Sequence, residues 1–491
     1  MQDRVPTFRM VAFTLLLVQI LRPACVAAQA GVTWSEPLNL SDSPTSSAHP
    51  AIVADSYGYV HVFWSEELDG RTIAPDELPD PGNTIMYRRW DGRDWTEPIS
   101  ILAPAGEEHA DFASVTIDRE NRLHVVWTGL IAIYYSSAPA VDAYSARAWS
   151  TPEVVSFESA RTQYEACVAA DSQGRIHIVF ATSGEEAGIY HTMRPAGSDR
   201  WTLPRSISEP LRQNEVAYVN LRVMVDGSDR LHVAWGTTNT NDYNQAVYYA
   251  RREAGADDWQ MALQMADATI GTGFTGFPAL LAYGRDQLLL IHVNETSNGR
   301  IERSSTDGGR TWSAPRMILP SMEGVNGFLI PLLDGGGALH LVINMRPSAN
   351  QRTGIYYAPR AEPDWAPIVP VAIEEPYGPT AHYTDATIRL GNEIHVVWTQ
   401  LRQGEIWYVR GVIGLMEPAA AQPTPTPIPS TPTPTPLPVE PAAGAAEAGS
   451  QGRVWGPAPA TEQTKLAPVA LAVAPVLLVV VGIAAWQGRR R

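Results

Sequence analysis

The sequence predicts an all-β protein, a seven-bladed β-propeller closed by its own N-terminal strand, and three observations carry that expectation. A phrase of the form L-H-V-V-W recurs around His61, His124, His177, His232, His340 and His395, with an apolar counterpart over 288–291, at steps of roughly 50 to 63 residues. Each copy is followed by an apolar piece carrying tyrosine, such as Tyr87, Tyr135, Tyr249, Tyr357 and Tyr408, with Ile301 in its place in the fifth, and most then reach a tryptophan with proline shortly behind it. The third observation is phase: Trp34 precedes the first complete unit, whereas the last unit ends at Tyr408 without a tryptophan piece. The N-terminal strand therefore has to complete the seventh blade, which shuts the ring and leaves no open sheet edge.

Taken in order, residues 1–30 place Arg4 and Arg9 before an apolar run from Met10 to Leu21 and then Ala28-Gln29-Ala30, the pattern of a cleaved signal peptide. The mature chain is expected to begin near Gly31. Residues 31–415 form the propeller, each unit contributing an apolar run (50–54, 113–117, 167–170 and 221–225 in the first four), the histidine phrase, the tyrosine piece and a short strand opened by tryptophan. The tryptophans of that last strand are Trp34, Trp95, Trp149, Trp201, Trp259, Trp312 and Trp365. Six histidines at one repeat position are explained by symmetric packing, as are Trp64, Trp127, Trp235 and Trp398 at the end of the same strand. No metal site and no cofactor is expected.

Residues 416–465 are a Pro/Thr-rich disordered linker. Their runs Pro423–Pro427 and Thr431–Pro436 favour polyproline II, and at ~3.1 Å per residue the dense part spans roughly 60 Å. Residues 466–486 carry no charge over about the length that crosses a hydrocarbon core, and residues 487–491 end in Arg489, Arg490 and Arg491. This reads as one transmembrane helix with a cytoplasmic tail, hence a single-pass cell-membrane protein whose propeller is extracellular.

Composition narrows the function. The chain of 491 residues carries 36 − 52 = −16 net charge, which argues against nucleic acid as a partner. Its two cysteines, Cys25 in the segment to be removed and Cys167, allow neither an internal disulfide nor a thiolate zinc site.

Residues Ser305-Thr306-Asp307-Gly308-Gly309-Arg310-Thr311-Trp312 match S-x-D-x-G-x-T-W, the Asp-box of the bacterial neuraminidase repeat. Through it the body resembles the sialidase-superfamily propellers. The resemblance implies a structural role for Ser305, Asp307, Gly309, Thr311 and Trp312: the aspartate holds backbone donors of a hairpin turn and the tryptophan packs between strands. It also permits a test of sialidase chemistry, which needs arginines for the substrate carboxylate, a glutamate-activated tyrosine and an acid-base aspartate. Ala48 stands where the first such arginine belongs, while Tyr164 beside Glu165, Tyr377 near Glu375, and Asp69 could imitate the other groups.

The tight turns before each histidine phrase and the Asp-box turn share one rim, so the opposite rim, with the longer connections, is expected to carry function. Its candidate ligand-binding residues are His49, His109, Asp111, Tyr164, Glu165, His382 and Tyr383, and tyrosines with carboxylates suit polar ligands such as sugars. The expected function is binding of a glycan, polysaccharide or protein at that rim. A sialidase-like or other glycoside hydrolase is the alternative, with enzymatic activity left open.

Overall fold

The computed structural model describes residues 31–67, 84–102, 109–129, 131–157, 163–184, 187–241, 243–267, 275–294, 299–319, 325–346, 353–373, 381–400 and 403–414. The signal segment, the linker, the C-terminal span and tail, and Asp69, Glu375 and Tyr377 lie outside the described residues. Among the described residues no helix is long and apolar enough to cross a membrane.

The strands form seven separate antiparallel sheets, each built from sequence-consecutive strands except the last. That sheet runs Ala381–Arg389, Glu393–Gln400, Glu405–Ile413 and then the N-terminal strands Val32–Trp34 and Leu38–Asn39. Its register sets Trp34 opposite Gly411 and Leu38 opposite Tyr408. The ring is thus seven blades closed by hydrogen bonds between the two ends of the domain, as the out-of-phase tryptophan implied.

Alternation of burial is weak in the histidine-phrase strands because a blade is covered on both faces. Val60–Glu66 and Ile176–Thr182 are buried at every position, so they read as continuous apolar runs. The histidines inside them are held by a repeated chain of hydrogen bonds. In the fourth blade, Asp226 Oδ1 accepts the backbone N–H of Ser228 and of Arg230, closing the tight turn, and Oδ2 lies 3.0 Å from His232 Nε2. His232 Nδ1 in turn lies 2.7 Å from Tyr249 Oη. The same relay joins Asp118, His124 and Tyr135, and Asp334, His340 and Tyr357. In the third blade Asp171 lies 3.2 Å from His177 Nε2 and His191 replaces the tyrosine; in the first and seventh the tyrosine half is kept, His61 to Tyr87 at 2.8 Å and His395 to Tyr408 at 2.7 Å, while Asp55 and Glu393 stand 3.4 and 3.5 Å from Nε2 without a hydrogen bond. A structural role for the six histidines follows, since each ring lies inside a buried polar network.

The tryptophans do something different from what the sequence suggested. Trp149, Trp201, Trp259 and Trp312 do not open strands; they precede strands that begin four residues later, at Glu153, Arg205, Leu263 and Arg316. Each of these rings reaches back to the preceding blade, as do Trp95, in a lone bridge to Trp90, and Trp34, in the strand Val32–Trp34. Trp201 meets Tyr135 at 4.9 Å, Trp259 meets His191 at 5.2 Å, Trp312 meets Tyr249 at 5.0 Å, Trp95 meets Tyr408 at 4.9 Å and Trp34 meets Tyr357 at 5.5 Å, all edge-on. The fifth blade lacks the histidine relay and uses charge: Glu302 accepts from Trp365 Nε1 at 2.8 Å, Arg316 at 2.6 Å and Arg360 at 2.8 Å. Each junction thus carries one tryptophan among the aliphatic side chains that pack between blades.

In the Ser305–Trp312 turn, Asp307 accepts from Thr311 N at 2.9 Å and Thr311 Oγ1 at 2.6 Å, and Ser305 Oγ accepts from Gly309 N at 2.9 Å. Burial raises the Asp307 carboxyl, but the bonds from Thr311, Ser305 and the turn backbone together outweigh it and hold the group down at about 2. Gly309 sits at φ 79°, and a Cβ there would approach Tyr249 Oη to 1.9 Å. We expect Gly309→Ala to lower stability by about 2 kcal/mol or more, from left-handed strain plus displacement of the relay tyrosine, read by urea denaturation. An unchanged midpoint would refute this reading of the turn.

Candidate functional site

The innermost strands of the seven blades are longer than the sequence runs suggested: Ser47–Ala54, Asp111–Ile117, Gln163–Ala170, Ala217–Val225, Thr275–Ala282, Val325–Leu333 and Ala381–Arg389. The extra residues were hidden because every one of these strands breaks register near its start, between Ala48 and Ala51, Asp111 and Ser114, Gln163 and Ala166, Val219 and Arg222, Gly276 and Ala279, Asn326 and Leu329, and His382 and Thr384. A bulge interrupts side-chain alternation, so period-two reading stops there. His49 and His382, expected just before their strands, are strand residues at such bulges.

The bulges re-aim side chains. His49, Phe112, Asn220, Phe277 and Tyr383 occupy equivalent positions at φ between 35° and 56°, a region that non-glycine residues enter at a cost of about 1 kcal/mol or more. Four of these are rings, and with Phe328 they converge. His49 stacks on Phe112 at 3.8 Å and meets Tyr383 edge-on at 4.0 Å; Tyr383 meets Phe328 at 5.6 Å, and Phe328 meets Phe277 at 5.6 Å. Five consecutive blades, the fifth through the second around the closure, thus each give one ring to a partial collar on the inner strands, at the end of the ring where the longer connections lie.

Bulges also orphan backbone donors, and neighbouring blades supply the acceptors. Glu165 accepts Asn220 N at 3.1 Å and Leu221 N at 2.7 Å; Thr399 Oγ1 accepts His49 N at 3.1 Å; Asp385 accepts Ile52 N at 3.0 Å. Glu165 is therefore engaged in the scaffold. Burial pushes the Asp385 carboxyl up, against two backbone N–H bonds and the positive charge of Arg222. Burial likewise pushes the Cys167 thiol up to about 12, and it donates to Leu221 O at 3.2 Å, which makes it a packed thiol and not a nucleophile.

The reactive-looking pair is His49 with Asp111. Asp111 opposes His49 Nδ1 and also accepts from Ser65 Oγ at 2.7 Å and Phe112 N at 2.8 Å; the side chains are 13% and 2% exposed. Burial raises the Asp111 carboxyl, but the charges of His49 and His109 and the bonds from His49 and Ser65 outweigh it and leave it lowered, hence ionised. The Tyr383 hydroxyl is pushed far up by burial first and then by the charges of Asp111 and Glu165, so it stays a neutral phenol. Across the collar, the Arg222 guanidinium lies 5.6 Å from the Phe328 ring and donates to Leu221 O at 2.7 Å. Among the described residues no group of metal-binding side chains is present.

Of the candidates named from sequence, His49, Asp111 and Tyr383 come together, with His109 close enough to lower Asp111 electrostatically and Glu165 to raise Tyr383. Tyr164 and His382 lie in the inner strands of the third and seventh blades, but their side chains lie outside the described residues. Sequence reasoning missed Phe112, Phe277, Phe328 and Arg222. Aligning the residues ahead of the apolar runs across the repeats, where His49-Pro50 and Phe277-Pro278 correspond, would have exposed the first two.

No family model matches the chain, and no curated protein matches it. Solved structures do. A protein of unknown function from Dyadobacter fermentans is 14% identical, with 78% of this chain and 99% of that one covered and a TM-score of 0.50. An ulvan lyase of a polysaccharide lyase family, bound to -[GlcA(1-4)Rha3S]-, is 10% identical over 77% of this chain and 96% of its own at a TM-score of 0.55. A fungal alcohol oxidase in complex with copper is 10% identical over 78% and 76% at 0.50. At these identities the shared property is the propeller fold.

Proposed function

We propose that the protein is a glycan-binding propeller whose ligand seats at the collared end of the ring, displayed outside the cell on a Pro/Thr-rich stalk and held by one C-terminal span. The observation that carries this is the collar itself: five blades give one ring each, four of them from left-handed backbone, to one row of touching rings, with Asp111 against His49 and Arg222 over Phe328. Sugar rings pack their apolar C–H faces on aromatic faces while their hydroxyls take up carboxylate and imidazole partners. The polysaccharide bound by the ulvan lyase is an example of such a ligand on a propeller of similar fold.

Sialoside hydrolysis is the less favoured form of this function. Ala48 is buried at the start of the first inner strand, where the carboxylate-binding arginine of the sialidase pattern would stand. The test is a glycan array probed with purified residues 31–415, run beside a panel of fluorogenic glycosides. Binding is expected, and Phe112→Ala or Phe328→Ala should each weaken it by roughly 1 to 3 kcal/mol with melting unchanged, as for buried aromatic anchors. Full-strength binding by both variants would move the site away from the collar.

A further inference from the structure

We propose that the collar is a catalytic site in which His49 is the general base of a β-elimination on uronic-acid polysaccharide. This rests on the glycan-binding reading and deepens it. In the neutral imidazole the Asp111 carboxylate facing Nδ1 holds the proton on that nitrogen, so the lone pair falls on Nε2. Among the described residues nothing bonds Nε2, and the part-exposed ring is held between Phe112 and Tyr383. Ser65 Oγ bonds Asp111 and not Nε2, so the base does not serve that serine as a nucleophile. Its proton has to come from the ligand or from water.

The groups around it favour the ligand. The Tyr383 ring meets the imidazole edge-on at 4.0 Å and its hydroxyl stays protonated, so a base and a proton donor belong to adjacent side chains. Arg222 is half-buried two rings along the collar, over Phe328, and among the described residues makes no ion pair with a carboxylate. A sugar carboxylate set against that guanidinium would have its negative charge offset, and the C–H beside a neutralised carboxylate is more acidic. The step balances without a further reagent. His49 Nε2 takes the proton from C5, the C–H electrons form the C4=C5 double bond, the C4–O glycosidic bond breaks, and the departing oxygen takes a proton from Tyr383 Oη, which solvent restores. A hydrolase of the two-carboxylate type would instead need a paired acid and nucleophile, and the collar offers a histidine and a phenol.

The experiment incubates purified residues 31–415 with a panel of uronate polymers (polygalacturonate, alginate, hyaluronan, a glucuronate–rhamnose polymer) and follows ultraviolet absorbance of the unsaturated uronate end, with binding measured in parallel by calorimetry. Unsaturated product from at least one polymer is expected. His49→Asn keeps a residue tolerant of left-handed backbone and should lower turnover at least 100-fold, far more than it weakens binding; Tyr383→Phe should do the same. Hydrogen exchange at C5 in heavy water, lost in His49→Asn, supplies a readout that packing alone would not move. A polymer that binds but gives neither product nor exchange overturns the proposal and leaves the binding reading intact. Product formation undiminished in His49→Asn overturns the assignment of the base, and failure to bind any glycan sinks both readings.

Discussion

Acidifying the propeller from about pH 7 to about pH 5 is expected to remove several kcal/mol of its stability, because buried histidines stay neutral in the fold and charge on unfolding. Burial is the first cause at His61, His124, His177, His191, His232, His292, His340 and His395, and it lowers all of them, His292 to about 4. A histidine lowered in the folded state contributes stability that is complete above its unfolded value of ~6.5 and is lost as pH falls toward the folded value. For each histidine still neutral in the fold, the loss approaches about 1.4 kcal/mol per pH unit within that window. The relay aspartates Asp55, Asp118, Asp171 and Asp226 are lowered and add to the same trend below about pH 4. Urea midpoints measured between about pH 7.5 and 4.5 should fall steeply below about pH 6.5. A flat profile across that range would show that the relay histidines are protonated in the fold.

Removing residues 31–42 is expected to have the other large effect. It takes away Val32–Trp34 and Leu38–Asn39, exposes the edge of Glu405–Ile413, and withdraws Trp34 from Tyr357 and Leu40 from the seventh blade. Burial of Leu40 alone is worth ~2 kcal/mol, and each of the lost ladder bonds about 1 kcal/mol. The shortened protein should melt well below the intact domain, roughly 10 °C or more lower, and should associate through the unpaired edge. Unchanged melting would show that the N-terminal strands are not what shuts the ring.

The repeat unit, the number of blades and the closing strand were legible from sequence because covalent order and hydrophobic spacing determine them: Trp34 out of phase with Tyr408 admits one closure. The packing role of His232 and its counterparts was legible for the same reason, since a residue repeated in blade after blade serves what the blades share. The partners were not legible. That Asp226 closes a turn with one oxygen and holds His232 with the other depends on a hairpin that brings residues six apart into contact. That Trp201 packs on Tyr135 instead of opening a strand depends on how one blade leans on the next.

The site divides along the same line. His49, Asp111 and Tyr383 could be named from sequence as polar residues ahead of the apolar runs, but His49 and Tyr383 are more than 300 positions apart and meet only because the ring returns on itself. Arg222 passed as an ordinary strand residue, and Phe112 and Phe328 drew no reading at all. Sequence alone determines which side chains each blade owns; only the closed ring decides which of them face one another, because a bulge turns them inward and the seven-fold arrangement sets their separation. Burial among neighbouring blades then leaves Asp111 charged and Tyr383 neutral, and no single strand carries that information.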